Sequence, residues 1–178
     1  MTSRIALLTP VLMVGCAVIA ISFGIRSSFG IFQIPISQDF SWLRSEYSMA
    51  IAIQNLAWGL GQPIFGAIAD KFGDRRAIFG GALVYAAGLI LSSSAVTPAA
   101  HQVYSVLIGF GVAGTGFGVI LAVVGRSSSD ANRSMSLAIA TAAGSVGQIF
   151  GPPLAEYLLT IFSWQIVFVW FAIVMVSA

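Results

Sequence analysis

Gly66-Ala67-Ile68-Ala69-Asp70-Lys71-Phe72-Gly73-Asp74-Arg75-Arg76 holds the densest run of charge in the chain. It separates two long apolar runs, residues 47–68 and 77–96. A hydrocarbon core about 30 Å thick needs about 20 mostly apolar residues in helical form, and each flanking run has that length. The stretch reads as a short charged turn between two membrane-crossing helices. Composition agrees. Of 178 residues, 58% are hydrophobic and 8% charged, with a mean hydropathy of +0.96, whereas a soluble domain carries about 25% charged residues. Eight basic and six acidic side chains cannot coat a water-exposed body of this size. Soluble enzyme, nucleic-acid binder, secreted disulfide scaffold and disordered tail are excluded as readings.

Outward from that turn, the breaks delimit six expected helices: about 5–32, 47–68, 77–96, 102–124, 134–159 and 162–178. Continuous apolar runs, in place of short alternating ones, argue against transmembrane strands. The expected fold is an all-α, multi-pass six-helix transmembrane bundle. Lys and Arg set its orientation. With the N-terminus in the cytoplasm, inside segments hold Arg4, Lys71, Arg75, Arg76, Arg126 and Arg133, and outside segments only Arg44. The final apolar run closes without a polar tail, which reads as a fragment or a shortened sixth helix. The net charge of +2 is too small to indicate a nucleic-acid partner. A single cysteine, Cys16, allows no internal disulfide. His101, beside Pro98 in an expected loop, reads as a solvated or interfacial side chain.

Arg26 is the sharpest intramembrane feature. An arginine near a helix centre costs about 2.5–3.5 kcal/mol on insertion scales, so it faces a partner or a wet cavity, unless it snorkels to the interface. On the expected boundaries it sits in the outer part of the first span, and both readings stand. A guanidinium facing a cavity favours an anion, because it pairs with carboxylate in bidentate fashion. Gln54, Asn55, Gln62 and Gln148 could line a water path with it or simply bond to neighbouring helices. The glycines of the fourth span, Gly109, Gly111, Gly114, Gly116 and Gly118, and the run Gly144, Gly147, Gly151, Pro152, Pro153 in the fifth permit close helix packing, or a surface that slides and bends. Helices one, two, four and five are expected at the centre, with three and six outside. No paired acid and base, nucleophile with base, or metal cluster stands inside the spans, so no enzyme, metal site or cofactor is expected.

The run from Gly66 to Arg76 closely resembles the motif after the second helix of the major facilitator superfamily: glycine, small and apolar residues, aspartate, a basic residue, any residue, glycine, then basic residues. Asp74 departs from it, standing where a basic residue is usual. The resemblance implies that Gly66 lets the second helix approach a helix of the other half. It implies that Asp70, Gly73, Arg75 and Arg76 belong to a cytoplasmic charge cluster holding the outward-open state. An aspartate near the start of the third helix would also be favoured by the macrodipole. Within the superfamily, Phe40-x-Trp42-x-Arg44-Ser45-Glu46-x-Ser48, a cation in the first helix, and Arg133 opening the fifth span look like the monocarboxylate-transporter group and its bacterial relatives. By that resemblance Arg26 binds the substrate carboxylate; Asn55, Gln54 and Gln148, as polar residues of the spans, are the candidates to line the site with it. Gly147-x-x-x-Gly151-Pro152 is similar instead to a fifth-helix motif of proton-coupled antiporters, though Ala155-Glu156 replaces its closing glycine pair. The expectation is one half of a twelve-helix secondary transporter in a bacterial inner membrane. Its substrates would be small organic anions, monocarboxylates above all, moved by rocking of two halves with a proton as cotransported partner. The C-terminal half, or a second copy, is the missing partner. Export of drugs or metabolites by proton antiport is the alternative.

Overall fold

The computed structural model describes residues 9–178, all of it helix and short links. The expected helix start at Ile5, and Arg4, lie outside the described residues. Seven α-helices follow in order: α1 (Pro10–Phe40), α2 (Arg44–Phe72), α3 (Asp74–Ser93), α4 (Pro98–Thr115), α5 (Phe117–Ser127), α6 (Arg133–Leu159) and α7 (Trp164–Ser177). α4 and α5 form one interrupted rod, so six rods make up the bundle. Among the described residues, Pro10–Phe40, Asp74–Ser93 and the α4–α5 rod are long and apolar enough to cross a membrane by length and composition. α7 is apolar but shorter, and α2 is diluted by Gln54, Asn55 and Gln62.

Local chemistry sets most helix ends. The Thr9 hydroxyl accepts from the Leu12 amide at 3.2 Å with Pro10 in the first turn, and Thr97 and Pro98 repeat the device at α4. Glu46 accepts from the Leu43 amide at 2.8 Å at the start of α2. Gly73 links α2 to α3 alone, at φ +94°, a conformation a side chain would strain. Its place in the charged turn is therefore that of a corner.

Two boundaries differ from the expected ones. The first helix continues to Phe40, eight residues beyond the expected end at Phe32, because its polar tail finds partners. Gln33 donates to the Ser48 hydroxyl at 3.2 Å, and the Trp164 indole donates to Asp39 at 2.6 Å. Buried Ile36 keeps the same face in the core. The fourth rod breaks at Gly116, which is extended and whose Cβ would lie 2.5 Å from the Val112 carbonyl.

α1 packs along α6, α4 lies against α2 and α3, and α7 lies against α3. Glycine makes these approaches possible. A Cβ on Gly147 would strike the Ala20 carbonyl, one on Gly151 the Gly24 carbonyl, and one on Gly111 the Tyr85 backbone. Phe29, Phe32, Phe168 and Phe171 form an aromatic core between α1 and α7, with Phe32 and Phe168 4.7 Å apart. The expected arrangement is corrected in part. α1 and α4 are innermost, while α2 and α6 leave broad apolar faces open, with Leu56, Leu60 and Ile64 on one and Ile149, Phe150 and Leu154 on the other. His101 is also corrected. It is 1% exposed, stacked on Tyr47 at 5.4 Å and on Phe168 at 6.4 Å, with Nδ1 unpartnered. Proline at the first helical position starts a helix, so the sequence expected as a loop is the first turn of α4.

Candidate functional site

With α1 running to Phe40, Arg26 falls near the middle of the helix. Fourteen residues separate it from Phe40, about 21 Å at the helical rise. The guanidinium is held by α2. Nη2 donates to the Asn55 carboxamide oxygen at 2.5 Å. The guanidinium carbon lies 4.6 Å from the Trp58 ring centroid and 6.0 Å from that of Phe23, within the range of cation–π attraction. Phe23 in turn packs edge-on to Trp58 at 5.8 Å and tilts against Phe117 at 4.4 Å. Arg26 Nε is buried without a partner, so its remaining donor capacity lies on the Nη nitrogens, of which Nη2 already donates to Asn55.

Asn55, Trp58 and Gln62 stand at i, i+3 and i+7, one face of α2. Gln62 is exposed, and its Oε1 lies 3.3 Å from where a Cβ on Gly118 would be. That face carries the polar stripe. Gln54, one step round the helix, is 2% exposed and its backbone carbonyl lies against Gly109. Its side chain is buried inside the bundle, one step round α2 from the exposed Asn55. Gln148 is half-buried on α6, and its backbone carbonyl accepts from Ser27, the neighbour of Arg26, at 3.4 Å. Trp58 and Phe23 were not expected at the site, though the three-residue step from Asn55 to Trp58 is the signal that could have found Trp58.

The charged cluster lies where α2 and α3 meet the end of α5. Arg126 reaches Asp70 at 3.8 Å and forms a close pair with Asp74. The cation joined to both aspartates is thus Arg126, from the end of the fourth rod, and not Arg75 or Arg76, which project from α3 and are exposed. The macrodipole expectation is corrected as well. Asp70 lies in the last turn of α2, where an acid is disfavoured, and Asp74 in the first turn of α3, where it is favoured. Gly66 meets nothing within 4 Å in the space its Cβ would take. Gly147 and Gly151 are used against α1, and Pro152 sits inside α6 without ending it. Arg133 closes the next link, donating to the Gly125 carbonyl at 3.1 Å and pairing with Asp130 at 3.1 Å.

The family model described as Major Facilitator Superfamily matches residues 14–178. The chain belongs to the major facilitator superfamily. Among curated relatives it is similar to monocarboxylate transporter 13 of Bos taurus, 32% identical over 155 residues, and to that of Rattus norvegicus, 31% identical over 155 residues. Each match covers 82% of this chain and 34% of the relative, so the chain spans about a third of the length of the relatives it matches. An all-helical integral membrane protein of this superfamily accounts for the sparse charge, the apolar rods and the charged turn together.

Proposed function

We propose that the chain is the N-terminal six-helix half of a secondary transporter for small organic anions, with monocarboxylates as the substrate class. The single observation that carries this reading is the guanidinium of Arg26. It stands half-buried at mid-helix beside the exposed Asn55, with ring faces beneath it and with donor N–H groups left over on Nη1 and Nη2 once Asn55 has taken one. A cation within an apolar helix is costly unless an anion or water reaches it, and two parallel N–H groups match a carboxylate. The likeness to monocarboxylate transporter 13 supports the same class.

The open faces of α2 and α6 are where a second half would pack. Arg26, Asn55 and Gln148 would then lie near the midplane between halves, and rocking of the two would alternate access. The end that carries Lys71, Arg75, Arg76, Arg126 and Arg133 is, in this proposal, cytoplasmic under the positive-inside rule, with the N-terminus inside. In this reading Gly66, Asp70, Gly73, Arg75 and Arg76 serve the cytoplasmic closure, with Gly147, Gly151 and Pro152 as a packing seam. Anion entry against a negative interior costs about 2.3 kcal/mol per 100 mV, which cotransport of a proton would offset.

The test is uptake of radiolabelled carboxylates by vesicles containing the intact protein, with Arg26→Gln beside it. A charged hydrogen bond is worth about 1.5–3 kcal/mol, so affinity is expected to fall about 10- to 150-fold. Unchanged affinity removes the proposal. Equal transport of neutral analogues by the unaltered protein favours an exporter of drugs or metabolites.

A further inference from the structure

We infer that Asn55 and Trp58 are positioning residues that fix the Arg26 guanidinium in an anion-ready pose; this rests on the reading of Arg26 as the carboxylate site. Arginine carries a long, flexible side chain, and one that had to be ordered at each binding event would weaken the anion it holds. Here α2 supplies two different restraints from one helical face. The Asn55 oxygen takes one Nη2 hydrogen at 2.5 Å, and the Trp58 ring lies 4.6 Å below the cation. Burial of Nε closes the side edge of the guanidinium, so the terminal Nη edge is the one presented.

Asn55 fits this role for a chemical reason. Its oxygen is neutral, so it can accept from the guanidinium without cancelling the charge. A carboxylate at the same place would form an ion pair and compete with the incoming anion. Trp58 fits for a related one: indole is the strongest of the aromatic cation–π partners, and its ring occupies a guanidinium face without using any in-plane N–H. Both residues act through Arg26 and need no contact with the substrate.

The experiment measures concentration-dependent uptake of a radiolabelled monocarboxylate in vesicles containing the intact protein, for Asn55→Leu, Asn55→Asp, Trp58→Phe and Trp58→Leu, with Arg26→Gln beside them. Asn55→Leu is expected to raise KM about 3- to 10-fold with the maximal rate retained, the scale of one ordering hydrogen bond. Asn55→Asp is expected to raise it further, although it is the smaller change in shape. Trp58→Phe should fall between the unaltered protein and Trp58→Leu. A structural role for Asn55 would reverse the Leu and Asp order or lower the maximal rate alone, and either result overturns the inference. If Arg26→Gln raises KM but all four α2 variants leave it unchanged, the positioning role is lost and the anion site stands. If Arg26→Gln leaves KM unchanged, the anion site itself is lost. Where Trp58→Leu fails to fold, the Asn55→Asp to Asn55→Leu order and Trp58→Phe still decide.

Discussion

Asp70 and Asp74 share one cation, and the structure assigns them opposite energetic consequences. Arg126 is half exposed, Asp74 one third exposed and Asp70 77% exposed. Exposed pairs contribute about 0.2–1 kcal/mol after solvent screening. The close Asp74 pair belongs near the top of that range, and the 3.8 Å Asp70 pair near the bottom. The macrodipole adds about 0.3–1 kcal/mol in favour of Asp74 at the start of α3 and against Asp70 at the end of α2. Asp74→Asn is therefore expected to cost about 1–2 kcal/mol, the sum of pair and dipole. Asp70→Asn loses a weak pair and relieves an unfavourable dipole, leaving stability unchanged or raised by about 0.5 kcal/mol. Reversible unfolding of the intact protein in mixed micelles measures both, and a cycle with Arg126→Gln isolates the pair energies. Raising salt from 0.15 M to 1 M shortens the screening length from about 8 Å to 3 Å and should shrink the Asp74 coupling. An Asp70→Asn cost equal to or above that of Asp74→Asn refutes the reasoning. Any conformational role of Asp70 in closure would then show separately, as altered cysteine accessibility from the two sides at unchanged stability.

Gly151→Val should drive α1 and α6 apart, since its Cβ would strike the Gly24 carbonyl; a cost of about 1–3 kcal/mol or more, read by unfolding, is expected, with Gly66→Val, in open space on this half, as the comparison. Gly73→Ala strains a corner at φ +94° and ψ 150° and should cost about 1–3 kcal/mol, measured the same way. His101→Phe keeps the ring stack with Tyr47 and removes an unpartnered buried nitrogen, so stability should hold or rise by about 1 kcal/mol; a clear loss would show that the imidazole makes a bond of its own. Trp164→Phe removes the donor to Asp39 and should cost about 1–3 kcal/mol, with proteolysis at the α1–α2 link as a second readout.

Helix content, membrane class and the charged turn were legible in residue order, because hydropathy over 20 residues and a dense run of charge are local properties of the chain. Arg26 was legible as an anomaly for the same reason: a cation in an apolar run has an energetic cost wherever the run folds. Its surroundings were not. The first helix outlasts its apolar stretch where Ser48 and Trp164 bond to Gln33 and Asp39, and the guanidinium is received by Asn55 and Trp58 of α2. Tertiary structure alone decided which aspartate and which arginine meet, since Arg126 reaches Asp74 across 52 residues. It also decided that His101 is enclosed, that Gln54 turns inward while Asn55 turns out, and that Trp58 lies under the guanidinium. Composition fixes what a segment can cross; only packing fixes what its polar atoms face.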